Sequence, residues 1–222
     1  MEQLCHGIAL HHASEEPVNI LRAFRCFTVD AITSFCFAQS VGALTEPGFR
    51  APIEHAMTLS LPMVPWSKHF RIVKFLASRC PPALIAVLRP GLVGLIRLRV
   101  MLSNQVKEAI RHPETLARVA HATIFHELLS PAHGQQAPSY VSLRDEALLL
   151  VFAGTDTTSN TLAVGTTHIL GNPTIHTKLV EELIAVWPDL HAKPRYEVLE
   201  SLPYLVSISA SHPTTCCSDE CR

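Results

Sequence analysis

Three features of the sequence predict an all-α fold. Apolar residues recur at helical spacing over most of the chain, and clean two-residue alternation is rare. Sixteen prolines sit at the joints between periodic segments, notably Pro47, Pro62, Pro65, Pro81, Pro82, Pro113, Pro131, Pro138 and Pro188. The 222 residues, 48% of them hydrophobic, are enough for one domain with a real core.

In chain order, Met1 to Ser14 mixes His, Glu and Gln with few apolar residues, and reads neither as a secretory signal nor as a membrane span. Helices are expected over about 17–39, 52–60, 81–111 (bent or split at Pro90-Gly91), 114–130, 142–170, 173–187 and, briefly, 197–207. The fifth opens on Ser142-x-x-Asp145, read as a capping box, and stops at Gly171-Asn172-Pro173, where a new helix begins. The most apolar stretch, Pro81 to Leu102, is broken by Arg89-Pro90, Arg97 and Arg99, so it is a poor spanning helix and reads better as an amphipathic surface pair. No internal repeat or low-complexity tract is present.

Composition excludes several function classes. A net charge of -1, a pI near 6.9 and 6% aromatic residues leave neither an electrostatic footprint nor stacking platforms for nucleic acid. Seven cysteines without regular spacing do not form a secreted disulfide framework, and Cys26 and Cys36, in apolar helical text, read as small buried hydrophobes. No metal site is expected. Cys216-Cys217-x-x-x-Cys221 lacks a second ligand pair, His11-His12 near Cys5-His6 read as solvated, and His121 and His126 do not share a helix face. Glu108-x-x-Arg111 reads as an ordinary helical ion pair.

The most informative conflict lies in residues 146–170. From Gly154 to Thr161 every side chain is Gly, Thr, Asp, Ser or Asn, each roughly 0.5–1 kcal/mol worse than Ala inside a helix. The flanks Leu148 to Phe152 and Leu162 to Val164 nevertheless read as buried helix, and such disagreement between local preference and global pattern marks functional or strained positions. A helical distortion is expected between Ala153 and Thr158.

Ala153-Gly154-Thr155-Asp156-Thr157-Thr158-Ser159 resembles the Ala-Gly-x-(Asp/Glu)-Thr-(Thr/Ser) signature of the long central helix of the cytochrome P-450 family, the haem-thiolate monooxygenases. Downstream, Asn172-Pro173, Lys178 to Leu183 and Leu199-Glu200-x-Leu202-Pro203-Tyr204-Leu205 are similar to the text leading into the family's next helix. Upstream, Pro17 to Ile20, Phe24, Asp30 to Thr33 and Cys36 to Ala38 resemble the early helices of fungal microsomal members. The resemblance implies a partial cytochrome P-450 fold over residues 1–205. It makes Ala153 and Gly154 haem-facing, Thr157 a hydroxyl offered to dioxygen, and Asp156 the link from that hydroxyl to bulk water, with Phe152 and Thr158 beside substrate. It further implies haem as cofactor, a small organic substrate, a reductase partner, and an endoplasmic reticulum membrane for full-length relatives, which dip the region corresponding to Pro81–Leu102 into the bilayer. Without the family pattern, the competing account is a Thr/Ser-rich helix whose hydroxyls bond back to the preceding turn, with Asp156 facing solvent.

Other parts of the family pattern are missing from these 222 residues. There is no Phe-x-x-Gly-x-Arg-x-Cys-x-Gly loop to supply the axial Cys. Val206-Ser207-Ile208-Ser209 stands where the family has Glu-x-x-Arg, and neither Trp66 nor Trp187 has Arg four residues on. The chain therefore reads as an internal fragment, expected to be inactive as written. The alternative is a non-catalytic helical truncation product or binding protein derived from that family. Residues 206–222 are expected to be a disordered tail outside the family domain. Val-Ser is also what a read-through splice donor GUAAGU encodes, so an exon end is expected there. Transcript sequencing showing continuous coding with no intron would contradict it.

Overall fold

The computed structural model describes residues 1–60, 69, 90–112, 121–129, 138–189 and 194–215. Within them all regular structure is helical. The helices are α1 (Glu2–Ala13), α2 (Ile20–Phe37), α3 (Pro52–Ser60), α4 (Val93–Arg111), α5 (Ile124–Leu129), α6 (Tyr140–Gly171), α7 (Pro173–Val186), α8 (Tyr196–Glu200) and α9 (Pro203–Thr215), with short 3-10 turns at 43–45, 47–49 and 90–92. The expected joints at Pro62, Pro65, Pro81, Pro82, Pro113 and Pro131, the start of the 81–111 and 114–130 segments, and Trp66, Cys80, Cys216, Cys217 and Cys221 lie outside the described residues.

The chain divides into two compact units, Met1–Ser159 and Asn160–Arg222. The first holds the main core. On α2 the buried positions Ala23, Cys26, Val29, Asp30, Thr33 and Phe37 recur at three- and four-residue steps, so one face of that helix is sealed. Asn19 caps it by accepting from the Arg22 amide at 3.0 Å, and Ala38, at φ 55°, turns the chain out. Four groups then converge on Asp30: Ser40 Oγ (2.8 Å), the Gly42 amide (2.7 Å) and the Ala43 amide (2.9 Å) donate to Oδ1, and the Leu44 amide (2.8 Å) donates to Oδ2. This buried carboxylate thus organises the whole turn after α2.

On α4, Gly94, Leu98, Leu102, Val106 and Ala109 form the buried row, while Arg97 and Arg99 remain exposed. The helix packs on α3, where a Cβ at Gly94 would lie 2.1 Å from the Pro52 carbonyl oxygen, so only glycine lets the backbones approach this closely. No helix among the described residues is long and apolar enough to cross a membrane.

In the second unit, Asn172 Oδ1 accepts from the Ile175 amide and Pro173 occupies the first helical position, so the stop and restart expected at Gly171-Asn172-Pro173 is present. Glu182 on α7 accepts from the amides of Tyr204 and Leu205, both at 2.9 Å, and so caps α9 from a neighbouring helix.

Four expectations are corrected. Residues 2–13, too polar to show a pattern, form α1. The long helix starts at Tyr140 rather than Ser142, because Ser139 Oγ accepts from the Ser142 amide at 3.2 Å and is the cap, while Asp145 is held by Arg144 at 2.6 Å. That helix stays in α register through 153–158 with no distortion. The single helix expected at 197–207 is two, and the second continues to Thr215. It thus runs into the text after Leu205, and Glu182 caps its start.

Candidate functional site

Within the first unit α6 presents two opposed rows. Leu143, Ala147, Val151, Thr155 and Ser159, four residues apart, are buried, so this row holds the helix to the core. Two positions along, about 200° around the axis, Leu149, Ala153 and Thr157 form a second four-residue row that is exposed. Leu149 is 64% exposed, and so brings an apolar side chain to the open row.

The signature residues are distributed between these faces. Ala153 and Thr157 share the exposed row, and the Thr157 hydroxyl donates to the Ala153 carbonyl at 2.6 Å. Ser159 Oγ bonds back to Asp156 O at 3.1 Å. Such bonds satisfy the hydroxyls within the helix itself. Gly154 turns instead toward α2, where a Cβ would meet Ile32 at 3.0 and 3.1 Å, so its smallness serves packing between α2 and α6. Phe152 is half-buried against the core, and Thr158 is exposed.

Asp156 does not simply face solvent. Its Oδ1 accepts from Arg25 Nη2 at 2.9 Å, across the α2–α6 contact. Arg25 Nη1 donates to Thr58 Oγ1 at 2.8 Å and lies 3.7 Å from Glu54, whose other oxygen is 3.4 Å from Arg22. Beside this network, Thr28 Oγ1 is 3.2 Å from the Thr155 carbonyl, while the buried Thr155 hydroxyl has no hydrogen-bond partner. Sequence reading found Asp156 but missed Arg25, Glu54 and Leu149. Only Leu149 carried a local signal, its four-residue spacing from Ala153.

A cavity of about 630 Å³ opens elsewhere, between α1 and the 43–49 turns, lined by Leu10, His11, Leu44 and Phe49. It contains none of the signature residues, so cavity size alone does not point to α6. Among the described residues no three His, Cys, Asp or Glu side chains gather as a metal site. Cys26 is buried, donates to Phe49 O at 3.3 Å, and is pushed up to about 12 by burial. Cys36 is half-buried and also raised by burial, and Cys5 is exposed.

The chain is similar to known proteins over most of its length. The cytochrome P-450 family model matches residues 1–208, three residues beyond Leu205, where the motif-level resemblance ends. A cytochrome P-450 monooxygenase of Ascocoryne sarcoides is 29% identical over 92% of this chain and 42% of its own length. Another, of Cochliobolus heterostrophus, is 30% identical over 88% of this chain and 37% of its own. The grayanic acid biosynthesis cluster cytochrome P-450 monooxygenase of Cladonia grayi is 27% identical, with 93% of this chain and 39% of the relative covered. The chain thus spans about two fifths of these relatives' length. Members of the family use haem, and generally work with a reductase on small molecules. With the family model matched over nearly all its residues and an all-helical fold carrying the central-helix signature, the chain belongs to the cytochrome P-450 family.

Proposed function

We propose that these residues form the oxygen-side wall of a haem-dependent monooxygenase that inserts one oxygen atom of O2 into a small organic substrate, with electrons from a reductase. The observation that carries the reading is the exposed row Leu149, Ala153 and Thr157, opposite the row that anchors α6 to the core. An apolar, a small and a hydroxyl-bearing side chain in line suit the face of a flat macrocycle. Leu149 offers apolar contact, and Ala153 leaves room that a larger side chain would fill. Thr157 brings a hydroxyl to this row, where it donates to Ala153 O. Asp156, one position along and still partly exposed, can exchange protons with water. Haem, when bound, supplies the iron at which dioxygen is activated. Gly154 is placed here as a packing residue toward α2, and Phe152 and Thr158 as flanks nearer the substrate.

The residues fit one side of the haem only. An axial thiolate needs an accessible, ionisable Cys, and the cysteine loop of the family is missing from this sequence. Cys26 is buried with a raised pKa, and the exposed Cys5 stands in no such loop. The 222 residues by themselves are thus a fragment without monooxygenase activity. That missing loop also favours a second reading, a non-catalytic helical protein derived from the family.

The test is the carbon monoxide spectrum of the purified chain reconstituted with haem and reduced. Thiolate-ligated iron gives a strongly red-shifted Soret band that imidazole-ligated iron does not. We expect no such band. A stoichiometric one, abolished by substituting Cys216, Cys217 and Cys221, would overturn the claim of inactivity.

A further inference from the structure

We infer that Arg25 is the positioning residue for Asp156: its guanidinium fork holds the Asp156 carboxylate on the α2 side of α6 and divides itself between that carboxylate and Glu54–Thr58 on α3. The inference rests on the proposed role of Asp156 as a proton-exchanging group. The geometry behind it is specific. One guanidinium nitrogen reaches Asp156 at 2.9 Å while the other reaches Thr58 at 2.8 Å and Glu54 at 3.7 Å, so three helices meet on one cation. Glu54 is 8% exposed and Arg25 12%, whereas Asp156 keeps 29% of its side chain exposed. The sheltered cation therefore holds a carboxylate that still reaches water.

Stability alone is a poor explanation of the cluster. Arg25 Nε and Arg22 Nε are buried without hydrogen-bond partners, and the two contacts to Glu54 are longer than good hydrogen bonds. Buried ion pairs with incomplete hydrogen bonding are often matched or bettered by apolar packing. Of the two carboxylates that Arg25 meets, the one at hydrogen-bond distance is Asp156. Two carboxylates compete for one fork, so weakening the Glu54 claim strengthens the hold on Asp156, and removing the fork releases it. Thr157, on the exposed row, then has as its neighbour an acid whose freedom to turn is set by α2 and α3.

The chain without haem tests this, independently of the monooxygenase reading, by carbodiimide and glycine ethyl ester labelling of carboxylates, read by mass spectrometry. Asp145, 60% exposed on the same helix, is the internal standard. In R25Q the labelling of Asp156 relative to Asp145 should rise about fivefold, the population change that matches a partly exposed ion pair of roughly 1 kcal/mol. In E54Q it should fall below wild type. R25K, which keeps the charge but cannot span Thr58 and Asp156 together, should give a smaller rise and serves if R25Q does not fold. An unchanged ratio in the Arg25 variants, an equal rise at Asp145, or a rise in E54Q would overturn the proposal.

Discussion

Replacing Gly94 with alanine tests the packing that positions α4 on α3. The added Cβ would lie 2.1 Å from Pro52 O, 2.2 Å from Pro52 C and 2.5 Å from the Ile53 amide nitrogen. An unstrained carbon-to-oxygen contact is about 3.3 Å, so α4 must withdraw by on the order of 1 Å. Every atom involved on the α3 side is backbone, and no rotamer change relieves the overlap. Leu98 and Leu102, fully buried one and two turns along, then lose part of their contact, since a gap of about 0.5–1 Å forfeits a quarter to a half of the dispersion well. Overpacking of this kind costs about 1–3 kcal/mol, and a backbone clash belongs at the upper end. Helix propensity returns about 1 kcal/mol. The net is destabilisation by about 2 kcal/mol, or a fall in Tm of about 4–8 °C for a chain of this size. G171A is the matched control: nothing lies within 4 Å of its Cβ, so propensity alone should leave it neutral or stabilised. Thermal unfolding followed by far-UV circular dichroism reads both, and a G94A protein as stable as wild type would refute the reasoning.

D30N should destabilise the first unit by about 2–3 kcal/mol in urea unfolding, because an amide nitrogen would face donors now served by a carboxylate; a change under about 0.5 kcal/mol would contradict the role given to Asp30. Burial pushes Cys26 from 9.0 up to about 12, so the protonated thiol is favoured in the folded state. Its contribution is fully present below pH 9 and is lost as pH rises toward 12, with a slope of up to about 1.4 kcal/mol per pH unit. Urea midpoints measured across that range should fall more steeply for wild type than for C26A, and parallel curves would refute the assignment.

Where sequence carried a local signal, the reading was close. Pro52 at a helix start and Asn172-Pro173 at a restart fix boundaries through backbone chemistry that needs no partner, and α3 and α7 begin where expected. Ser142-x-x-Asp145 misled because Ser139, three residues earlier, competes for the same capping role. Helix α1 was invisible because its polar, His-rich text lacks a clear apolar face. The extent of α9 was not legible either, because the Glu182 cap that supports its start lies more than twenty residues away. At the candidate site the signature was legible, but the partition of its faces was not. That Gly154 meets Ile32 and Asp156 meets Arg25 depends on how α2 crosses α6, information held 131 residues apart for the ion pair.

The central claim, that the exposed row of α6 is the haem-facing wall, is tested most directly by titrating ferric haem into the methyl-labelled chain and following paramagnetic broadening by NMR. The account predicts that the methyl signals of Leu149, Ala153 and Thr157 broaden first, while those of Leu143, Ala147 and Val151 on the anchored face persist. Broadening that begins instead at Leu10 and Leu44, beside the cavity near α1, or that strikes both faces of α6 equally, would contradict it.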